Sequence, residues 1–262
     1  MTTHENRMVR HEIQRRELTV LRSEAVTPQM RRIVLGGEAL QGFHSASPDD
    51  HIKLFFANAE GAVVVPTMTP QGPQLPAGVT PSPMRDYTPR HHDVEAGELY
   101  IDFVLHGHGV ASSWAEHAQA GDTLMVAGPR GSFVVADDYD QYVLIGDETA
   151  LPAIGRWLEE MHESMRARVF VEIADAGERQ PLHSAADVRI HWLERNGVDA
   201  ASSTLLEDAL RDFEPDDGDT FYWIAAESRR ARTMRKFVEA HLGVDPHWIR
   251  ATGYWKAGAD EE

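Results

Sequence analysis

The chain has no cysteine. Disulfides, iron–sulfur clusters and thiolate metal sites are therefore excluded, and any redox chemistry must come from a borrowed cofactor. Lysine is almost as scarce, occurring only at Lys53, Lys236 and Lys256. With 25 Lys and Arg against 42 Asp and Glu, the formal charge is −17. That balance argues against nucleic acid and anionic membranes as general partners, and it makes any local cluster of arginines informative. No apolar run is long enough to span a bilayer, and residues 1–16 are polar and charged, without the apolar centre of a signal peptide. The expectation is a cytoplasmic protein with residues 1–16 partly helical or frayed. Internal repeats are absent.

At 262 residues the chain exceeds the usual single domain, so two are expected. Residues 18–21, 30–35 and 51–56 are short β-type runs, divided by Gly, Pro, Asp and Ser clusters. The proline-rich stretch 66–83 reads as loop. Strands are expected again at 85–90, 98–105 and 123–127, with 110–117 as the one helix. This describes a small antiparallel β-barrel closed by a short helix, residues 1–138. From 139 the rhythm changes. Strands at 142–145, 168–173, 189–193, 221–225 and 248–253 alternate with helices at 150–165, 204–213 and 228–242, and 174–188 reads as loop. Such alternation predicts a parallel α/β sheet for residues 139–262. The acidic tail Asp260-Glu261-Glu262 is expected to be disordered.

The most informative stretch is Arg85-Asp86-Tyr87-Thr88-Pro89-Arg90, which offers two guanidinium groups, a phenol and a hydroxyl within six residues. Pro89 biases Thr88 towards extended backbone. In a strand, Arg85, Tyr87 and Pro89 share one face, and Asp86, Thr88 and Arg90 the other. An aromatic ring beside a phosphate-seeking arginine suits a ligand with both a flat ring and phosphates, as in a flavin dinucleotide. It equally suits a plain strand with surface arginines and a half-buried tyrosine. Downstream lies Gly109-Val110-Ala111-Ser112-Ser113, small residues at a helix start. That is either an anion site or an N-cap by Ser112 or Ser113.

These segments, together with Asp102-Phe103-Val104-Leu105-His106-Gly107 and Gly146-Asp147-Glu148-Thr149-Ala150-Leu151-Pro152-Ala153-Ile154, resemble in order and spacing the siderophore-interacting protein family. These are FAD-dependent ferric-siderophore reductases of the ferredoxin-reductase superfamily. The resemblance runs from about Val20 to Trp255, with Val110 where many relatives carry proline. It implies that Tyr87 stacks on the isoalloxazine ring, that Thr88 lies near the reactive flavin nitrogen, and that both act in catalysis. It implies further that Arg85 pairs with the pyrophosphate and that Gly109, Ala111, Ser112 and Ser113 cradle phosphate. Asp102, Phe103, Val104 and His106 would line the flavin, Asp102 and Val104 through their backbone. Thr149 and Ala150 would approach it from the second domain.

Gly146-Asp147-Glu148 ends the first parallel strand, where a standard dinucleotide fold has a glycine-rich turn. Two carboxylates stand there instead, suited to capping the following helix. Neither His91-His92 nor His106-x-His108 has a carboxylate set at ligand spacing, so no metal site is assigned. Ser228 is expected to cap the helix that carries Arg229, Arg230 and Arg232. Arg195 lies where reductases of the superfamily often bind an adenosine 2′-phosphate. Arg195 and Arg229 thus favour NADPH over NADH, and Lys256 is a candidate contact for an anionic chelate. The implied reaction passes electrons from NAD(P)H through FAD to a ferric siderophore, releasing Fe(II). The alternatives are a non-catalytic ferric-siderophore binder, a general NAD(P)H:flavin electron-transfer protein, and ferredoxin as the donor. A monomer is expected.

Overall fold

The computed structural model describes residues 4–69 and 71–258. Residues 1–3 and the acidic tail, with the disorder expected of it, lie outside the described residues. The chain divides into two units. One spans Met8–Phe133; the other is built from Val134 onwards together with the first residues of the chain.

The first unit comprises β1 (Arg7–Arg10), β2 (Arg15–Thr27), β3 (Met30–Gly36), β4 (Ile52–Phe55), β5 (Thr67–Thr69), β6 (Gly72–Gln74), β7 (Met84–Tyr87), β8 (His91–Asp93), β9 (Glu98–Val104), α1 (Val110–His117), β10 (Thr123–Ala127) and β11 (Gly131–Val134). Its main sheet has the order β7-β4-β10-β2-β3-β9-β8, antiparallel throughout. The two terminal strands of this order, β7 and β8, are joined by only Thr88-Pro89-Arg90, a reach of roughly 15 Å at about 3.8 Å per step. The sheet must therefore roll up. Consistent with this, the Tyr87 ring on β7 lies 4.3 Å from that of Phe103 on β9, near the far end of the strand order. Leu18, Ile33, Leu54, Ile101 and Val126 are among the side chains filling the interior.

Three sequence expectations are corrected here. Residues 7–10 are a strand, not helix: β1 pairs with β11, and Gly131 permits the close approach, since a Cβ there would sit 2.7 Å from the Val9 carbonyl oxygen. The stretch 66–83 contains the β5–β6 hairpin, whose turn is held by Thr69 Oγ1 donating to the Gly72 carbonyl (2.8 Å) and accepting from Gln71 N–H (3.2 Å). The flavin-type strand stops at Tyr87 rather than Arg90, because Pro89 has no N–H to give the ladder.

The second unit comprises β12 (Gln141–Gly146), α2 (Leu151–Glu160), β13 (Arg166–Ile173), β14 (Asp187–Glu194), α3 (Leu205–Asp212), β15 (Thr220–Glu227), α4 (Ser228–Ala240) and β16 (Ile249–Trp255). Its five strands run parallel in the order β14-β13-β12-β15-β16. Counted within the unit this is 3-2-1-4-5, the doubly wound order, with its switch point between β12 and β15. β12 and β15 are buried along their whole length, as their continuous apolar runs require, whereas edge strand β14 alternates. On one face Trp157 of α2 packs near Tyr142 and Phe221; on the other, Leu206 and Leu210 of α3 and Met234 and Val238 of α4 cover Val143, Ile145 and Ile224. Helix α2 stops at Glu160, short of the expected 165. Met161 turns to extended backbone while its N–H still bonds the Trp157 carbonyl. Among the described residues no helix is long and apolar enough to cross a membrane.

Gly146 ends β12 because nothing larger fits. A Cβ there would lie 2.3 Å from Ala150 Cβ and 2.8 Å from the Ala225 carbonyl oxygen. Gly146→Ala should therefore destabilise the protein by roughly 1–3 kcal/mol through overpacking, seen as a lower urea midpoint with unchanged slope.

Candidate functional site

In the first unit, β7 pairs with β4 so that Tyr87 lies opposite Ile52, Asp86 opposite Lys53 and Arg85 opposite Leu54. Arg85 and Tyr87 are half-buried on one face, while Met84 and Asp86 are exposed on the other, as the alternation predicts. Asp86 accepts from Lys53 Nζ at 2.8 Å. The Tyr87 ring rests on Phe103, which is followed by Trp114 at 5.7 Å and Phe56 at 5.8 Å from Trp114. An aromatic base of this kind fixes the tyrosine plane. Thr88 is buried at the strand end, and Arg85 donates to the Met84 carbonyl at 3.0 Å.

Helix α1 starts at Gly109, whose φ of 79° is costly for any other residue. No acidic residue stands in its first turn, and with glycine as N-cap the leading N–H groups receive no side-chain acceptor. The Ser112 hydroxyl, buried, instead accepts from His106 N–H at 3.1 Å and closes the 106–112 loop. Ser113 is exposed, and Ala111 is buried. His106 and His108 are exposed, with ring nitrogens 3.2 Å apart.

Phe103 is fully buried against the Tyr87 ring, and the Ser112 hydroxyl accepts from His106 N–H within the loop. The Asp102 carboxylate is likewise taken by a two-pronged pair with Arg32 at 2.7 and 2.8 Å, leaving its backbone, like that of Val104, as the part the resemblance assigns. What this face carries is a half-buried guanidinium, a half-buried phenol, the buried Thr88 hydroxyl at the strand end and a helix start free of acids. That donor set fits a ligand with a planar ring and phosphates.

In the second unit the carboxyl ends of the strands carry acids. Asp147 caps the short 3-10 turn Glu148–Ala150, accepting from Thr149 N–H (3.0 Å), Thr149 Oγ1 (2.5 Å) and Trp255 Nε1 (2.7 Å). Burial, and then the neighbouring Glu148, push its carboxyl up to about 6. Ala150 is fully buried against Gly146, so only Thr149 of that pair presents a side chain. Arg195 is buried and donates to Glu148 at 2.5 and 2.7 Å and to Glu172 at 3.3 Å. Three of its five guanidinium N–H groups are thus spent on carboxylates of the protein itself. Arg230 is buried and grips Glu172 and Glu207 with bonds of 2.7–3.0 Å. Burial alone would lower the Arg230 pKa, but these two carboxylates raise it above the ordinary arginine value.

Helix α4 is capped by Glu227, not Ser228. The Glu227 carboxylate accepts from Arg229 N–H (2.6 Å) and Arg230 N–H (3.1 Å), and although burial alone would raise its pKa, these bonds hold it below the usual range. The Ser228 hydroxyl instead donates to the Trp255 carbonyl at 2.8 Å. Arg229 and Lys256 are exposed. The sequence reading missed the Arg–Glu network and the Asp147–Trp255 bond. A charge inside the apolar run Val171-Glu172-Ile173 was an available signal for the first; the second had none. Among the described residues no group of three or more His, Asp or Glu is placed to hold a metal ion.

Comparison with known proteins defines the class. The family model described as a siderophore-interacting FAD-binding domain matches residues 19–133, and that described as a siderophore-interacting protein matches residues 139–258. The chain is 40% identical over 254 residues to the NADPH-dependent ferric-chelate reductase of Escherichia coli (strain K12), covering 95% of this chain and 96% of that one. It is 31% identical to the ferric vibriobactin reductase ViuB of Vibrio cholerae, over 94% of this chain and 91% of the other. The solved structure of a siderophore utilization protein from T. fusca aligns with a TM-score of 0.90 at 36% identity, covering 97% of both chains. The chain belongs to the siderophore-interacting protein family.

The buried network gives a stability test. Glu172→Gln removes the carboxylate shared by Arg195 and Arg230 and should cost roughly 3–5 kcal/mol in urea unfolding. Arg179→Ala, which breaks the exposed 2.7 Å pair with Glu194, should stay within about 1 kcal/mol.

Proposed function

We propose that this protein is an FAD-dependent reductase of chelated ferric iron that takes its electrons from NADPH and releases ferrous iron from siderophores. The observation that carries this reading is the Arg85–Tyr87 face, with the tyrosine seated on Phe103 in a chain related over 95% of its length to a ferric-chelate reductase. When bound, FAD supplies the step that accepts a hydride from the nicotinamide and hands electrons singly to Fe(III). The protein's part is positional. Tyr87 provides a stacking surface whose tilt is set by Phe103. Thr88 offers a hydroxyl able to donate to or accept from a ring nitrogen. Arg85 and the start of α1 neutralise the pyrophosphate, and His106, Ser113 and the backbone at Asp102, Val104, Gly109 and Ala111 complete the first unit's contribution. We assign the Met8–Phe133 unit to flavin and the unit from Val134 onwards to the nucleotide donor.

For the donor, Arg229 is the exposed cation at the start of α4 and suits the 2′-phosphate of NADPH; Arg195, buried and paired, is set aside. We take the donor to be a nucleotide rather than a ferredoxin, and the protein to act as a cytoplasmic monomer. Lys256, exposed beyond the last strand, suits an anionic chelate.

The deciding experiment is optical. The purified protein should be yellow, bleach with NADPH under argon and regain its colour with a ferric siderophore. A colourless protein that binds the chelate without turnover would make it a binder. Tyr87→Ala should lower flavin retention, and Thr88→Ala should keep flavin but slow its reduction; wild-type behaviour in both would leave this strand a structural one. A crossed pair of variants separates the substrates. Arg229→Ala should cut kcat/KM for NADPH about tenfold, the worth of one charge-assisted phosphate contact, and spare NADH. Lys256→Glu should raise KM for an anionic ferric chelate only.

A further inference from the structure

The switch point of the parallel sheet is bridged by one side-chain contact. Trp255, the last residue of β16, reaches past β15 to donate its indole N–H to Asp147 at the end of β12 (2.7 Å). It does so because the β15–β16 pairing slips: Ala226 pairs with Gly253 but Glu227 pairs with Trp255, leaving Tyr254 as the extra residue. Such a bulge re-aims the side chain that follows it. Two further bonds hold the bulged end in place. Ser228 Oγ donates to the Trp255 carbonyl (2.8 Å), and Ala257 N–H reaches Glu227 at 3.4 Å. Gly253 is small because a Cβ there would meet Ser228 Oγ at 2.4 Å. Backbone and side chain are thus both arranged to lay the Tyr254-Trp255-Lys256 segment along the carboxyl ends of β12 and β15, where this fold receives ligands.

We propose that Asp147 is a positioning residue: acting through the Trp255 indole, it fixes the end of the last strand at the switch-point crevice and so sets the affinity for the reduced nicotinamide nucleotide. The affinity clause rests on the NADPH reading above.

The chemistry of the contact makes it testable. Asp147 receives two bonds at Oδ1 and one at Oδ2, contacts that an ionised carboxylate makes most strongly. The charged group that acts on it is Glu148 on its own turn, itself held by Arg195; Glu227 ends the adjacent β15, Lys256 follows β16, and α2 brings no acid in its first turn. Below about pH 6 the carboxyl takes a proton and loses the charge that strengthens its bond from the indole, so Trp255 is held less tightly. The sign for stability is opposite. A carboxyl raised from 3.8 to about 6 takes up its proton in the folded protein first, so its contribution to stability is fullest below the lower value and declines towards the upper one.

The holoenzyme labelled with 5-fluorotryptophan gives a direct readout. The resonance missing from Trp255→Phe identifies Trp255. In wild type it should shift on acidification with a midpoint near pH 6, and in Asp147→Asn it should hold its acid position at every pH. KM for NADPH should rise about fivefold or more in Asp147→Asn and in Trp255→Phe. The double variant should be no worse than either, and kcat should stay within about twofold. A Trp255 resonance indifferent to both pH and Asp147→Asn would overturn the proposal, as would KM effects that simply add. If wild type oxidises no NADPH, the nicotinamide reading falls, and the fluorine titration alone decides whether Asp147 holds Trp255.

Discussion

Glu172 is closed off from solvent in the middle of the parallel sheet, and a carboxylate is tolerable there only because two guanidinium groups meet it. Removing charges from water costs several kcal/mol per ion, recovered only when each finds a partner in good geometry. Much of the carboxyl end of the sheet follows from this requirement. Arg230 must be buried at the first turn of α4, which draws Glu207 of α3 in to share it. Arg195 must fold back from the end of β14, which draws Glu148 and its turn towards the sheet. Strands β12, β13 and β14 and helices α3 and α4 are tied together through this set.

The same constraint governs what the crevice can bind. Three carboxylates share two guanidinium groups, and Asp147 and Glu227 stand at the switch point itself. The buried arginines of this face are neutralised from within, so a diphosphate gains nothing from them. An anionic nucleotide has to be met from outside the network, by exposed groups such as Arg229. A tighter internal network thus narrows the part of the ligand that carries recognition.

Much of the architecture was legible in the sequence because burial leaves a periodic trace. The unbroken apolar runs around Val143 and Ile224 marked central parallel strands, and α1 was placed at its observed bounds by its small residues and the glycine before it. The face carrying Arg85 and Tyr87 followed from simple alternation. Contacts closed by partners distant in sequence were not legible. Arg195 looked like a phosphate ligand because its position was read without Glu148 and Glu172, which only the fold brings to it. Ser228 looked like a cap because Glu227, one residue earlier, also has the chemistry to cap and won by geometry. Strand β1 has no apolar pattern of its own and exists through its pairing with β11, and the β5–β6 hairpin was hidden by prolines that suggested loop.

Glycines at strand ends illustrate the same point in a sharper form. In a doubly wound sheet a glycine after the first strand is commonly read as room for a phosphate. At Gly146 the space a side chain would need is already filled by Ala150 Cβ and the Ala225 carbonyl, and at Gly253 by Ser228. Both glycines serve contacts of the protein with itself. Gly146 lets the Asp147–Ala150 turn press down on β15, and Gly253 lets the start of α4 sit on β16. Those two close approaches bring Asp147 and Trp255 within hydrogen-bonding distance across the intervening strand. A turn pressed this closely to the sheet, with a carboxylate as its cap, is not the phosphate cradle of a glycine-rich loop. The missing glycine-rich loop is therefore a different solution to closing the sheet, in which an indole and a carboxylate bond to each other across β15.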